Sequence, residues 1–148
     1  MDYIPKYFKP YELVPKATYE LFKQRNEEYK IWWLFDPRTL LVSDRIRKRY
    51  GKMLANTWWH PGLVDAYGYH EFRGWRPFDC PIGAEFSQHK LGRANDLVPL
   101  QVTLEEIWHD IKDNGEDFGF ITCIEMGSKV TWLHHDERNY KGLLIVHP

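Results

Sequence analysis

The stretch from Ser87 to Asp96 constrains the fold more than any other part of the sequence. It places His89 and Asp96 on either side of six intervening residues, one of which is Gly92. Because glycine adopts positive φ angles readily, a short loop can fold back here and turn both side chains toward one cavity. An imidazole and a carboxylate suit a borderline divalent ion such as zinc, but two ligands do not complete a site.

A third ligand is available downstream, in the run W-L-H-H-D at 132–136. Side chains alternate along a strand, so His134 and Asp136 would share one face while His135 would point to the other. Taken alone, His89 or His134 is better explained as an ordinary polar residue at a sheet edge. The two motifs in this order indicate a metal site.

These motifs resemble those of a known family. The pattern S-x-H-x-x-G-x-A-x-D at 87–96, followed by W-x-H-x-D at 132–136, is similar to the metal motifs of the D-alanyl-D-alanine carboxypeptidase and L-alanyl-D-glutamate endopeptidase family of zinc peptidases. That family has the Hedgehog/DD-peptidase fold. The G-W-R-P run at 74–77 resembles its Ser-Gly-aromatic-Arg element, with Arg73 where the family usually has serine. The resemblance extends from about Arg38 to Arg138.

The resemblance implies a set of metal ligands. One Zn²⁺ would be held by His89, Asp96 and His134, and the fourth tetrahedral position would stay open, as in catalytic zinc sites. Asp136 would stand behind His134 and orient an imidazole or a loop; the alternative is a surface salt bridge with Arg138. His135 would hydrogen-bond substrate or, more simply, face solvent. The histidines without motif support are expected to be structural: His60, His70, His109 and His147.

Two further residues are expected to contact substrate. Arg76 resembles the family arginine that holds substrate, and a guanidinium there can stabilise a developing oxyanion. The alternative is a structural clamp between the long loop and an acid. Ser87 is expected to bond the loop backbone or a substrate carboxylate. It is not expected to be a nucleophile, because no paired general base precedes it at a recognisable spacing.

The general acid/base is where the sequence departs from the family. Better-known members carry an acidic residue three positions before the last histidine ligand, and here that position is Thr131, which takes no proton at neutral pH. Glu125, on the preceding strand of a predicted hairpin, is the nearest acidic residue. Across an antiparallel pair its carboxylate can approach the metal from the neighbouring strand. Glu125 is therefore the predicted catalytic acid/base.

The periodicity and turn signals predict an α+β fold with helices packed on an antiparallel sheet. The motif resemblance implies that this fold is Hedgehog/DD-peptidase-like. Helices are predicted from Lys16 to about Tyr29, from the cap Asp36-Pro37 to Gly51, and from the capping box at Thr103 to about Asp113. Strands are predicted at 52–59, 95–100, 119–126, 129–136 and 142–147, with a hairpin turn at Gly127-Ser128. The residues at 31–35 should be buried, those at 60–62 a turn, and those at 63–85 a loop.

Length and composition limit the classes of protein to which this sequence can belong. The 148 residues are expected to form one domain, 1–148. A net charge of −1 without a long basic run argues against nucleic acid as a partner. Cys80 and Cys123 lack a metal-type spacing and are expected to be reduced thiols. With no membrane-spanning run and no signal sequence, the chain is expected to be made in the cytoplasm as a monomer and to need release or delivery to reach a cell wall.

The resemblance implies two possible functions. The first is a zinc metallopeptidase that hydrolyses peptide bonds of peptidoglycan stem peptides or cross-links, in the manner of a phage endolysin or a virion-associated enzyme. Zinc would polarise the scissile carbonyl while an acid/base residue shuttles the proton. The alternative is a non-catalytic zinc-containing domain of the same fold that binds a cell-wall peptide or a protein partner. Thr131 favours the alternative, whereas Arg76 and an open three-ligand site favour the enzyme.

Overall fold

The computed structural model describes residues 3–148 and shows an α+β protein built on one mixed sheet. The helices are α1 (Pro10–Leu13), α2 (Lys16–Gln24), α3 (Pro37–Tyr50), α4 (Pro61–Tyr67) and α5 (Leu104–Asn114), with 3-10 helices at Glu28–Leu34 and Gly115–Phe118. The strands are β1 (Met53–Leu54), β2 (Ala94–Pro99), β3 (Cys123–Glu125), β4 (Leu133–Asp136) and β5 (Leu144–Val146). No helix within the described range has the length and apolar content needed to cross a membrane.

The five strands lie in the order β1-β2-β4-β3-β5. All neighbours are antiparallel except β3 and β5, which run parallel, with Leu144 beside Cys123. The expected purely antiparallel sheet is therefore wrong. The reason is that β4 already has β2 on one edge and β3 on the other. The chain after Asp136 must pass the end of β3 and pair with its free edge, which forces β5 into the direction of β3.

Several helix boundaries agree with the sequence signals. The Asp36 side chain accepts a hydrogen bond from the Arg38 backbone at 3.0 Å and starts α3, and Gly51, with φ of 83°, ends it. Thr103 and Glu106 form the predicted capping box of α5. The predicted turn at 60–62 is wrong, because the His60 side chain caps Gly62 at 3.1 Å and α4 begins at Pro61. The predicted loop at 63–85 therefore begins only after α4.

Three predicted segments differ in length or burial. The strand expected at 52–59 contains only Met53 and Leu54, because the next backbone groups bond to other loops: the Asn56 amide to Glu12 and the Thr57 amide to His70. The helix expected to reach Tyr29 ends at Gln24. The apolar run at 31–35 forms part of a 3-10 helix, and its Trp33 is 71% exposed although Ile31 and Phe35 are buried.

The hairpin of β3 and β4 exists, but with a longer connection than predicted. Cys123 stands opposite Asp136 and Ile124 opposite His135, and residues 126–132 connect the strands. The Val130 amide bonds to the Gly127 carbonyl at 3.0 Å, so the predicted turn at 127–128 lies inside this connection. The strands pair over fewer residues than the apolar pattern suggested.

The back face of β4 is covered by α3. His135 is fully buried there, with Nε2 at 3.0 Å from Ser43 Oγ and Nδ1 at 2.9 Å from Glu137 Oε1. Ser43 also accepts a hydrogen bond from Asn95 Nδ2 at 2.8 Å, and Thr39 donates to Glu137. The expectation that His135 faces solvent or substrate is therefore wrong. This buried network of hydrogen bonds joins α3 to the back of the sheet. The other face of β4, which we call the front face, carries His134.

Candidate metal centre

Two of the predicted ligands are placed by strand pairing. Asp96 of β2 stands directly opposite His134 of β4, so the two side chains share the front face of the sheet. Asp96 Oδ1 lies 2.8 Å from His134 Nδ1. The sequence alternation predicted the face of His134 correctly, and the register with β2 brings the carboxylate to it.

The third predicted ligand, His89, comes from the loop before β2. Its Nδ1 lies 2.8 Å from the Gly74 carbonyl, and its Nε2 lies 3.3 Å from Asp96 Oδ1. Gly92 has φ of 68° and packs against the end of the first 3-10 helix, where a Cβ would come 2.1 Å from the Leu34 carbonyl oxygen. Both the left-handed conformation and the close approach require glycine, as the sequence pattern predicted.

His89, Asp96 and His134 together form a candidate metal-binding triad. One ligand atom from each lies within 4.8 Å of the others, and all three residues are buried. Buried charged and imidazole groups that converge in this way need a partner ion or proton. The donor set therefore fits a divalent cation, and these are the residues that the two motifs predicted.

Hydrogen bonds define which nitrogens face the carboxylate. The Gly74 carbonyl can only accept, so His89 Nδ1 carries the proton and the lone pair on Nε2 points to Asp96. On His134, Nε2 lies 3.0 Å from Asp136 Oδ2, so a proton there leaves the lone pair on Nδ1, also directed at Asp96. Two lone pairs aimed at one carboxylate oxygen repel it unless a proton or a metal ion lies between them.

The charges around the triad also favour a positive ion or proton between Asp96 and the imidazoles. Burial lowers the pKa of His134, but hydrogen bonds to Asp136 and Asp96 outweigh it and raise the pKa to about 10. Burial raises the pKa of Asp96, whereas His89 and His134 together hold it well below its usual range. Without a metal, a proton on His134 therefore stabilises the Asp96 carboxylate. A metal ion can take the place of that proton.

Asp136 combines the two roles left open by the sequence. Its Oδ2 orients His134, and its Oδ1 lies 2.8 Å from Arg138 Nε. Asp136 is fully buried, and burial raises the pKa of its carboxyl, but the hydrogen bonds of Arg138 and His134 hold it well below its usual range. The carboxylate is thus charged and fixed behind the imidazole.

Arg76 lies beside the triad and is itself buried. Its Nη2 donates to Asp96 Oδ2 at 3.0 Å and its Nε donates to the Phe72 carbonyl at 2.6 Å. This is the clamp between the long loop and an acid that the sequence offered as an alternative. The two bonds leave Nη1, which lies close to Gly83 in the lining of the same cavity, so the guanidinium also has a donor near the cavity.

A cavity of about 450 Å³ opens in front of the triad, and we call it the metal-site cavity. Its polar wall is formed by Arg76, Ser87, His89, Asp96, Glu125, His134 and Arg138. Its apolar wall includes Trp132, Ile82 and Phe86. Ser87 Oγ accepts the His89 backbone amide at 3.3 Å. This is the predicted bond to the loop backbone, and the structure brings every predicted site residue except Asp136 into the cavity wall.

Glu125 reaches this cavity from the end of β3. Ile124 pairs with His135, so the next position along the two strands places Glu125 opposite His134 on the front face. Glu125 lies outside the three-residue triad, as a proton-transfer group would. Thr131, by contrast, is exposed and takes no part in the cavity wall. The structure thus juxtaposes Glu125 with the triad, and its role as acid/base stays a prediction.

A second cavity, also of about 450 Å³, is lined in part by Asp96 as well, and we call it the Arg73 cavity. It shares Arg76, Ile82, Asp96 and Trp132 with the first and adds Tyr69, His70, Glu71, Phe72 and Arg73. In the sequence, Arg73 is only a departure from the family motif, and no pattern there predicts this cavity. The signal available in the sequence was the position of Arg73, three residues before Arg76.

Comparisons of the chain with models of known protein families, with curated proteins and with solved structures give no match.

Proposed function

We propose that the chain is a zinc-dependent peptidase that hydrolyses peptide bonds of peptidoglycan stem peptides or cross-links. The observation that carries this proposal is the convergence of His89 Nε2 and His134 Nδ1 on Asp96 Oδ1, in a cavity that Arg76 and Glu125 also line. Three protein ligands would leave a fourth position of the zinc open to the cavity, which is typical of catalytic rather than structural zinc.

The donor chemistry favours zinc over other common ions. Two imidazole nitrogens and one carboxylate oxygen suit zinc, whereas magnesium and calcium prefer sites made of oxygen ligands. Both imidazoles also have the outer partners that metal-binding histidines use: the Gly74 carbonyl for His89 and the Asp136 carboxylate for His134. These partners fix the rings with one nitrogen of each directed at Asp96, where a metal ion would bind.

The protein's own groups divide the remaining work of hydrolysis. When bound, zinc supplies Lewis acidity that polarises a carbonyl and acidifies water. The Glu125 carboxylate takes the proton from the attacking water and returns it to the departing amine nitrogen. Arg76 donates from Nη1 to the carbonyl oxygen as negative charge develops. Ser87 and Trp132 hold the peptide in the cavity.

The substrate class rests on the motif resemblance. The motifs at 87–96 and 132–136 are similar to those of peptidases that cut D-alanyl-D-alanine or L-alanyl-D-glutamate bonds. In this proposal the protein acts as an endolysin-like or virion-associated enzyme, made in the cytoplasm and active on the wall after release or delivery. We propose that it works as a monomer.

A second candidate function is a non-catalytic zinc domain that binds cell-wall peptide or a protein partner. Two observations favour it: Arg76 is already engaged by Asp96 at 3.0 Å, and Thr131 stands where the family has its acid. In this alternative the metal stabilises the loop that carries His89, and the cavity binds without cutting.

Incubation with purified peptidoglycans separates the two functions. The zinc-loaded protein is incubated with peptidoglycans of several stem types, and the released fragments are identified by mass spectrometry. New amino and carboxyl termini at one type of bond support the peptidase. A protein that holds one zinc per chain and sediments with peptidoglycan without releasing fragments supports the binding domain. The matched control is His109→Ala on the exposed face of α5, which should behave like the unchanged protein.

A further inference from the structure

We propose that Arg73 is a specificity-determining residue that binds a carboxylate of the peptide substrate in the Arg73 cavity. This inference rests on the proposed peptidase function and names the group that the second cavity recognises. The Arg73 cavity adjoins the metal-site cavity at Asp96, Arg76, Ile82 and Trp132, so one extended peptide can occupy both.

The guanidinium of Arg73 lacks a carboxylate partner. Its Nη1 donates to the Ala55 carbonyl at 3.2 Å, and no ion pair among residues 3–148 includes it. Arg73 is partly buried, so its guanidinium is partly removed from water. A partly desolvated arginine with free donors in a cavity wall is a ready site for an anion, and its planar fork matches a carboxylate.

The backbone fixes Arg73 relative to the candidate metal centre. The Asp96 amide donates to the Arg73 carbonyl at 2.7 Å, and the Arg73 amide donates to Asn56 Oδ1 at 3.0 Å. One direct hydrogen bond therefore joins the candidate metal ligand Asp96 to Arg73. Such a connection sets the distance between the bond that is cut and the group that is recognised, which is what a specificity site requires.

The other polar groups of the cavity are already occupied. Glu71 Oε2 accepts from the Lys16 amide at 3.3 Å and from the Tyr69 hydroxyl at 3.2 Å. His70 Nε2 lies 3.1 Å from the Tyr67 carbonyl, and burial, with the charge of Arg73, lowers the pKa of this imidazole. His70 is thus neutral and Glu71 is bound elsewhere. Arg76 is paired with Asp96 at 3.0 Å, so among the described residues that line this cavity Arg73 is the cation without an ion-pair partner, while Phe72, Ile82 and Trp132 would contact the apolar part of the ligand.

A stem peptide offers two carboxylates for this site: the C-terminal carboxylate and the α-carboxylate of a γ-linked D-glutamate. Three forms of L-Ala-γ-D-Glu-L-Lys-D-Ala-D-Ala separate them: the free acid, the C-terminal amide, and the form with D-isoglutamine in place of γ-linked D-glutamate. Binding is measured by ¹⁵N chemical-shift titration of the metal-free protein, and kcat and KM are measured on the zinc-loaded protein. The variants are Arg73→Gln and Arg73→Lys, with Arg25→Gln as the matched loss of an exposed charge.

We expect the unchanged protein to bind one of the two amidated forms about tenfold or more weakly than the free acid, which identifies the carboxylate. Arg73→Gln should lose that preference, with KM raised and kcat little changed. Arg73→Lys should keep part of it, and Arg25→Gln should keep all of it. Zinc content and melting temperature show that each variant is folded.

An unchanged preference in folded Arg73→Gln overturns the proposal, and so does an unchanged protein that binds all three peptides equally. If Arg73→Gln does not fold, the ratio measured on Arg73→Lys and the three-peptide comparison on the unchanged protein decide instead. Failure of the proposed peptidase function looks different. In that case no peptide is cut, but the carboxylate preference in the metal-free titration still depends on Arg73.

Discussion

Arg76 and Asp96 form an ion pair that leaves half of the carboxylate for a metal. Nη2 of Arg76 donates to Oδ2 of Asp96 at 3.0 Å, and Oδ1 faces both imidazoles. Asp96 would therefore bind a metal through one oxygen while Arg76 neutralises the other. The same guanidinium would be both a clamp for the long loop and, through Nη1, a donor to substrate.

Arg76→Lys tests which of these two roles dominates. An ammonium keeps the charge but cannot keep both fixed donors of the planar guanidinium. If Nη1 acts on the developing oxyanion, kcat on peptidoglycan fragments should fall about 10²-fold or more while zinc content and melting temperature change little. A large drop in melting temperature with loss of zinc would show that the clamp is the main role. Differential scanning calorimetry and metal analysis give both readouts on one preparation.

Glu125→Gln should bind zinc normally and lose about 10²–10⁴-fold in peptide hydrolysis. The amide keeps the size of the side chain but cannot take a proton from water. The measurement is single-turnover cleavage of a peptidoglycan fragment, with zinc content determined on the same sample. Glu105→Gln is the control, because Glu105 is exposed in the first turn of α5. Near-normal turnover in Glu125→Gln would remove Glu125 from the mechanism.

Asp136→Asn should weaken zinc binding by about 10–100-fold without abolishing it. The amide can still bond to His134 but no longer carries the charge that favours the correct ring proton, and Arg138 loses its ion pair. Competition with a chromophoric chelator measures the dissociation constant. His89→Ala and His134→Ala should lose the metal altogether. An exposed substitution, Asp113→Asn, should leave affinity unchanged, and equal affinity in Asp136→Asn would contradict the outer role of this carboxylate.

The buried thiol of Cys123 should make the free energy of unfolding fall at high pH. Burial, reinforced by Asp136, raises the pKa of its thiol from 9.0 to about 12. The unfolded chain then loses this proton at lower pH than the folded protein does. The contribution of the protonated Cys123 thiol to the free energy of unfolding is complete below about pH 9 and is lost as the pH rises toward 12. Over this range the free energy of unfolding falls by at most about 1.4 kcal/mol per pH unit. Urea unfolding of the unchanged protein and Cys123→Ala between pH 8 and 11 measures it. Parallel slopes in the two proteins would contradict the prediction.

The residues of the candidate site were predicted from the sequence more accurately than the topology of the sheet was. Strand alternation is a local rule, so it assigned His134 and Asp136 to the front face correctly. The direction of β5 depends on which edge of the sheet is free after β2 and β3 have paired with β4, and no local pattern encodes that. Alternation also placed His135 on the opposite face correctly, but its expected exposure was wrong, because its polar side chain is satisfied by Ser43 of a distant helix and by Glu137.

The Arg73 cavity could not be predicted because it depends on a contact between the long loop and β2. The hydrogen bond from the Asp96 amide to the Arg73 carbonyl joins residues far apart in sequence. The loop that follows α4 has no periodicity, so its path follows from the partners it meets. The predicted strand at 52–59 failed in the same way, because its amides bond to those partners rather than to the sheet.

The pairing of Asp96 with His134 has a consequence for folding. The two residues are 38 positions apart, so the unfolded chain has no preformed site, and the ligands meet only when β2 and β4 align. Free energy gained on binding an ion would then add directly to the stability of the native state. The protein would be hardest to unfold where zinc is plentiful. A chelator added to the solution would lower its resistance to proteolysis without touching any residue of the core.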